Sequence, residues 1–101
     1  MDAMERDAIR LSPLDNVATV LRPVAAGENL RLGDPSAGEV TARDAVPLCH
    51  KIALAPIAPG EAVLKYGHPI GEASEPIAVG RHVHVHNMRS ARAKAGAAHH
   101  L

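Results

Sequence analysis

Three histidines within five residues, His82-Val83-His84-Val85-His86, followed directly by Asn87, form the densest concentration of reactive side chains in the sequence. The period of two of a β-strand puts all three imidazoles on one face and both valines on the other, against a core. Imidazoles two apart on a strand can converge on one divalent transition metal, and three nitrogen ligands leave a position for a water or a substrate oxygen. His82, His84 and His86 are therefore the candidate metal set. A polar face on an edge strand has the same pattern, so the spacing permits ligation without requiring it. A second candidate is His50-Lys51-Ile52-Ala53-Leu54. Its alternation reads as a half-buried strand, and an imidazole that titrates near neutrality can transfer protons; a plain polar residue at a strand end fits the pattern as well. The third is Leu64-Lys65-Tyr66-Gly67-His68-Pro69-Ile70-Gly71. There Lys65 can hold a carboxylate or phosphate as a point charge, and glycines four apart let the backbone approach a ligand. The bland alternative is two bends in a small domain, with Tyr66 plugging the core. Cys49 has no Cys-x-x-Cys partner and reads as a small buried hydrophobe.

Short elements must position these groups. Glycines and prolines interrupt the chain so often between Ser12 and Asn87 that no long helix fits there. Between the breakers lie apolar runs at Ala8–Leu11, Asn16–Leu21, Gly38–Thr41, His50–Ala55, Ala62–Leu64 and His82–His86, several rich in Val or Ile. This pattern predicts an all-β domain of short strands. A corner recurs three times, as Pro23-Val24-Ala25-Ala26-Gly27-Glu28-Asn29-Leu30, Pro56-Ile57-Ala58-Pro59-Gly60-Glu61-Ala62-Val63 and Pro76-Ile77-Ala78-Val79-Gly80-Arg81-His82-Val83. In each, the Gly supplies a positive φ and the aliphatic three residues later starts the exit strand. The unequal spacing of the corners rules out a solenoid. Residues 15–87 read as the domain, 1–14 as an N-terminal extension and 88–101 as a linker or frayed helical tail.

Composition narrows the function. Eleven Lys+Arg balance eleven Asp+Glu in 101 residues, and Tyr66 is the one aromatic ring. Nucleic acid is therefore an unsuitable partner, lacking both a basic footprint and stacking platforms. No apolar run approaches the length of a membrane span, and the first thirteen residues are too charged for a secretory signal. A cytoplasmic protein without membrane contact is expected, held together by packing, since one cysteine cannot form an internal disulfide.

The order and spacing of His50-Lys51-Ile52-Ala53-Leu54, Pro56-Ile57-x-x-Gly60-Glu61-x-Val63-x-Lys65-Tyr66-Gly67-x-x-Ile70-Gly71 and Ile77-x-x-Gly80-x-x-Val83-His84-Val85-His86-Asn87 resemble the SAF domain of the altronate and galactarate dehydratase family. That family also includes the small subunit of sulfolactate sulfo-lyase. The resemblance extends more loosely through Asp15-Asn16-Val17-Ala18. It implies a β-clip fold, similar to type III antifreeze proteins, and an accessory role in a lyase that removes water or sulfite from a hydroxy acid. It also implies a large catalytic subunit or domain as partner, a sugar-acid substrate, and a divalent metal, iron or manganese, held here or by that larger partner. Carried onto this sequence, His84, His86 and Asn87 face the active site together with His50 as candidate catalytic groups, and His82 lies beside them. Lys51, Lys65, Tyr66 and Gly67 form a second edge toward substrate or partner. The competing readings are a non-catalytic module binding a sugar acid or a metal, and a structural domain that caps or dimerises a larger enzyme with the histidines at a polar interface; separately, uncovered strand edges allow the chain to pair with itself in a homodimer.

Overall fold

Repeated use of one backbone corner organises the chain in the computed structural model, which describes residues 6–33 and 38–90. The strands are β1 (Ala8–Ile9), β2 (Val17–Val20), β3 (Asn29–Arg31), β4 (Glu39–Thr41), β5 (Lys51–Ala53), β6 (Ala62–Lys65), β7 (His68–Ala73), β8 (His82–Val83) and β9 (Met88–Ser90). They pair antiparallel in three sheets of order β1-β2-β5-β8, β3-β4 and β6-β7-β9. No helix occurs among the described residues, in agreement with the all-β, β-clip expectation.

The structure contains a fourth corner beyond the three legible in the sequence. Val24, Val46, Ile57 and Ile77 are buried bridge residues, paired as Val24 with Val46 and Ile57 with Ile77. Three residues after each stands a positive-φ position: Gly27 at 94°, Cys49 at 71°, Gly60 at 83° and Gly80 at 87°. The next residue in each case donates its N–H to the carbonyl three back, closing a turn of the type II pattern. Six residues after the bridge come Leu30, Ile52, Val63 and Val83, each 0 % exposed. The fourth corner, Ala45-Val46-Pro47-Leu48-Cys49, escaped the sequence pattern because Cys49 replaces its glycine and its proline follows the aliphatic instead of preceding it. Cys49 is exposed, not buried as expected, because the corner's backbone directs it outward.

The corners fold the chain as β2–corner–hairpin–corner–β5 and again as β5–corner–hairpin–corner–β8, with β5 shared. The core accordingly divides in two. Ala18, Val20, Leu30, Val46 and Ile52 belong to one cluster, and Val17, Ala53, Ile57, Val63 and Val83 to the other. Successive residues of β5, Ile52 and Ala53, are both buried and enter different clusters. The strand is thus buried on both faces, not half-buried as its alternation suggests, because antiparallel partners flank it on both sides and a core covers each face.

β1 and β9 draw residues from beyond the 15–87 span into the sheets, and 91–101 fall outside the described residues. β7 runs through Pro69 and Gly71, breakers that hide it in the sequence. Leu64 pairs with Pro69 just after a register shift, where a missing N–H is tolerated. A Cβ on Gly71 would collide with the carbonyl oxygen of Arg89, so glycine there lets β9 dock.

Candidate functional site

Strand register brings His50 to the histidine-rich segment. β5 and β8 pair Ile52 with His82 and Lys51 with Val83. One further step in the same register sets His50 opposite His84, with His82 on the diagonal. The ring centroids of His50 and His84 are 4.3 Å apart, those of His50 and His82 5.1 Å, and His50 Nδ1 lies 2.9 Å from His82 Nε2. The backbone of His50 is held by the corner: its N–H donates to the Pro47 carbonyl, and its own carbonyl accepts from the Val20 N–H.

The expected five-residue strand His82–His86 ends at Val83, and residues 84–87 turn. Val85, expected in the core, is 77 % exposed as a result. Asn87 makes the turn. Its Oδ1 accepts from the His84 N–H at 2.9 Å and its Nδ2 donates to the His82 carbonyl at 2.8 Å. At 4 % exposure, with both ends of its amide engaged, Asn87 is a buried brace for the histidines and not part of their presented face. The His86 ring lies on the exposed side, with its centroid 5.3 Å from that of His82. Asp44, which the sequence reading passed over, accepts from the His82 N–H through Oδ2 and from Arg81 Nη1 through Oδ1.

Burial pushes the His82 and His84 imidazoles below the usual histidine range, and the neighbouring His50 deepens both shifts. Lys51 adds to the shift at His84, while Asp44 partly opposes that at His82. These two rings are therefore neutral at neutral pH, the form that accepts protons and ligates metals. Burial also lowers the Lys51 ammonium, helped by the like charge of Lys65. Lys51 thus acts on His84, and Lys65 acts on Lys51, which brings positive charge to one side of the cluster.

Lys65 stands at the end of a hairpin in which it pairs with His68 across the two-residue loop Tyr66-Gly67. Both loop residues have positive φ, 58° and 74°, the type I′ geometry. Tyrosine is an unusual choice there, and the Asp15 carboxylate compensates by accepting from the Tyr66 N–H at 3.0 Å, the Gly67 N–H at 2.8 Å and the Ser12 N–H at 3.1 Å. Asn16 adds two bonds to β6, from its Nδ2 to the Ala62 carbonyl and from the Leu64 N–H to its Oδ1. Asp15 and Asn16 are thus positioning residues whose part only long-range contacts reveal. Tyr66 does not plug the core: it is 57 % exposed, and Lys65 Nζ lies 4.9 Å from its ring centroid.

A groove of about 830 Å³ between the corners that carry Gly60 and Gly80 is lined in part by Asp44, Glu61, Glu75, Arg81 and His86. Its three carboxylates suit an anionic ligand less well than the Lys51 side of the histidine cluster. No helix of the described residues is long and apolar enough to cross a membrane.

A family model described as the altronate/galactarate dehydratase SAF domain matches residues 6–91. Over 82 residues the sequence is 45 % identical to altronate dehydratase of Escherichia coli (strain K12) and 39 % identical to altronate dehydratase of Bacillus subtilis (strain 168). Those alignments take in 81 % of this chain and 16 % of each dehydratase. The sequence is also 39 % identical over 59 residues to the (2R)-sulfolactate sulfo-lyase subunit alpha of Paracoccus pantotrophus, covering 58 % of this chain and 88 % of that subunit.

Proposed function

This chain belongs to the altronate/galactarate dehydratase SAF domain family, and on that premise we propose that it serves a sugar-acid lyase as small subunit or N-terminal domain, assisting a larger catalytic partner in dehydrating a hydroxy acid. The observation that carries the reading is the convergence of His50, His82 and His84, with the positive charge of Lys51 acting on His84. Dehydration takes a proton from the carbon next to a carboxylate and expels the neighbouring hydroxyl as water. The Lys51 ammonium suits the carboxylate and the charge that spreads onto it as the proton leaves. The partner supplies the remaining surface and the rest of the machinery. A relative that is itself a lyase subunit, 88 % covered by the alignment, supports the arrangement of a small chain beside a large one.

The test is an assay of altronate and galactarate dehydration, and of sulfite release from (2R)-sulfolactate, with this chain alone, with the lyase large subunit alone and with both. Turnover is expected only in the mixture, and Lys51→Ala is expected to raise KM for the acid by about tenfold, the loss of one charge-assisted contact. Equal turnover by the large subunit with and without this chain would overturn the proposal.

A further inference from the structure

We propose that His50, His82 and His84 form a binding site for one divalent late first-row transition-metal ion, a set that differs from the strand-spaced trio His82, His84 and His86. Among the described residues these three alone bring ligand atoms together, all within 4.8 Å of one another. Two ligand nitrogens about 2.1 Å from a metal lie about 3.4 Å apart at the tetrahedral angle and about 3.0 Å apart at right angles. His50 Nδ1 and His82 Nε2, 2.9 Å apart and sharing a hydrogen bond, therefore need to part by only a few tenths of an ångström for an ion to replace the proton between them. The rings of His82 and His84 are nearly parallel, 9° apart with centroids 5.5 Å apart, and His50 lies nearer to each than they do to one another. An ion seated against His50 would thus draw the outer two rings inward.

The backbone beneath the three rings is already fixed. The fourth corner holds His50 through its N–H, and β2 holds it through its carbonyl, which accepts from the Val20 N–H. Asp44 and Asn87 hold His82, and Asn87 holds His84. Little ordering therefore remains to be done when an ion enters, and geometry held in this way distinguishes a site from histidines that happen to be close. All three residues are half-buried, with one side open, so positions remain for water or an anionic ligand. Nitrogen donors without a carboxylate select iron, cobalt, nickel, copper or zinc over magnesium or calcium. Lys51 works against a bare dication, and its presence beside His84 favours an ion whose open positions carry an oxygen anion. His86 lies outside the set although its ring centroid is 5.3 Å from that of His82: it sits on the exposed turn, and its nitrogens do not join the other three within 4.8 Å.

The test is calorimetric titration of the whole chain with Zn²⁺ and Co²⁺, joined to the visible spectrum of the Co²⁺ form and to the imidazole resonances it shifts. One ion per chain is expected, with His50, His82 and His84 the shifted rings. His50→Ala and His84→Ala are expected to weaken binding by at least about 100-fold, since even outer-shell changes at such sites cost 10–100-fold. His86→Ala and the double variant His99→Ala/His100→Ala are expected to stay within about threefold of the parent. Because the cobalt spectrum and ring shifts are read on the unaltered chain, a variant that unfolds does not remove the test. Absence of binding below millimolar ion, binding that survives loss of His50, or binding lost with His86 or the terminal pair would each overturn the assignment. The measurement needs no partner and no substrate, so its failure would leave the lyase proposal to its own assay.

Discussion

Replacing Asp15 with alanine is expected to cost about 3 kcal/mol of folding stability. The carboxylate, 6 % exposed, accepts three backbone N–H bonds, two of them from the Tyr66-Gly67 loop fifty residues away in sequence. A hydrogen bond to a charged group contributes about 1.5–3 kcal/mol, but the loop lies at an exposed tip where water can replace part of it. About 1 kcal/mol per bond therefore remains as the net loss. The left-handed conformation of Tyr66, at φ 58°, itself costs about 1–2 kcal/mol and would no longer be offset. A domain of this size holds about 5–10 kcal/mol in all, so the urea midpoint is expected to fall by about 2 M at unchanged slope. Tyr66 is the one aromatic residue in the chain, so its fluorescence reports the loop directly and is expected to change before the global transition. Asp15→Asn, which keeps one acceptor oxygen but turns an amide toward N–H donors, is expected to lose nearly as much. Tyr66→Asn in the Asp15→Ala background is expected to recover about 1 kcal/mol, because Asn tolerates the left-handed region. A loss below about 1 kcal/mol in Asp15→Ala, with unchanged fluorescence, would refute the argument that the carboxylate holds the hairpin.

Three further outcomes are expected. Gly71→Ala should destabilise by about 2–4 kcal/mol, because its Cβ would meet the Arg89 carbonyl and push β9 off the sheet; loss of protection from amide exchange at residues 88–90 would show it. Cys49→Gly should stabilise by about 0.5–1 kcal/mol, read as a melting temperature about 3–6 °C higher, since an exposed side chain is removed from a residue held at φ 71°. The Asp7 carboxyl is held below the usual aspartate range, first by the Arg31 N–H, against an opposing burial cost, and then by Arg22. Its folded-state value being lower than its unfolded one, its contribution is present above about pH 4 and is lost as pH falls through the folded value. Asp7→Asn should accordingly lower stability at pH 7 and flatten the acid limb of a denaturation series, whereas an unchanged acid slope would contradict the assignment.

The fold was largely legible from local chemistry. Pro-aliphatic-x-x-Gly announces a corner because a positive φ needs glycine, and three of the four corners follow that rule. Cys49 hid the fourth by taking the strained conformation with a side chain attached. β7 was hidden because Pro69 and Gly71 stop a strand in general, yet here a register shift and the close approach of β9 require them. The His82–His86 segment misled in the opposite direction. Its alternation is perfect for a strand, but the Asn87 amide forms better bonds by turning the chain than the edge of β8 offers, and so Val85 points to water.

The candidate site divides along the same line. The sequence by itself determined which groups are available, His50, Lys51, Lys65, Tyr66 and the three clustered histidines, and that they belong to an all-β chain of corners, because residue types and turn requirements are local properties. Tertiary structure alone decided which of them meet. The antiparallel register of β5 and β8 puts His50 across from His84, thirty-odd residues along the chain, while a turn leaves the His86 ring exposed at the edge of the cluster, and Asp15, Asn16 and Asp44 fix backbone that lies far from them in sequence. Register depends on how two whole strands bury their opposite faces in two cores, an energy summed over many residues, and no single motif encodes it.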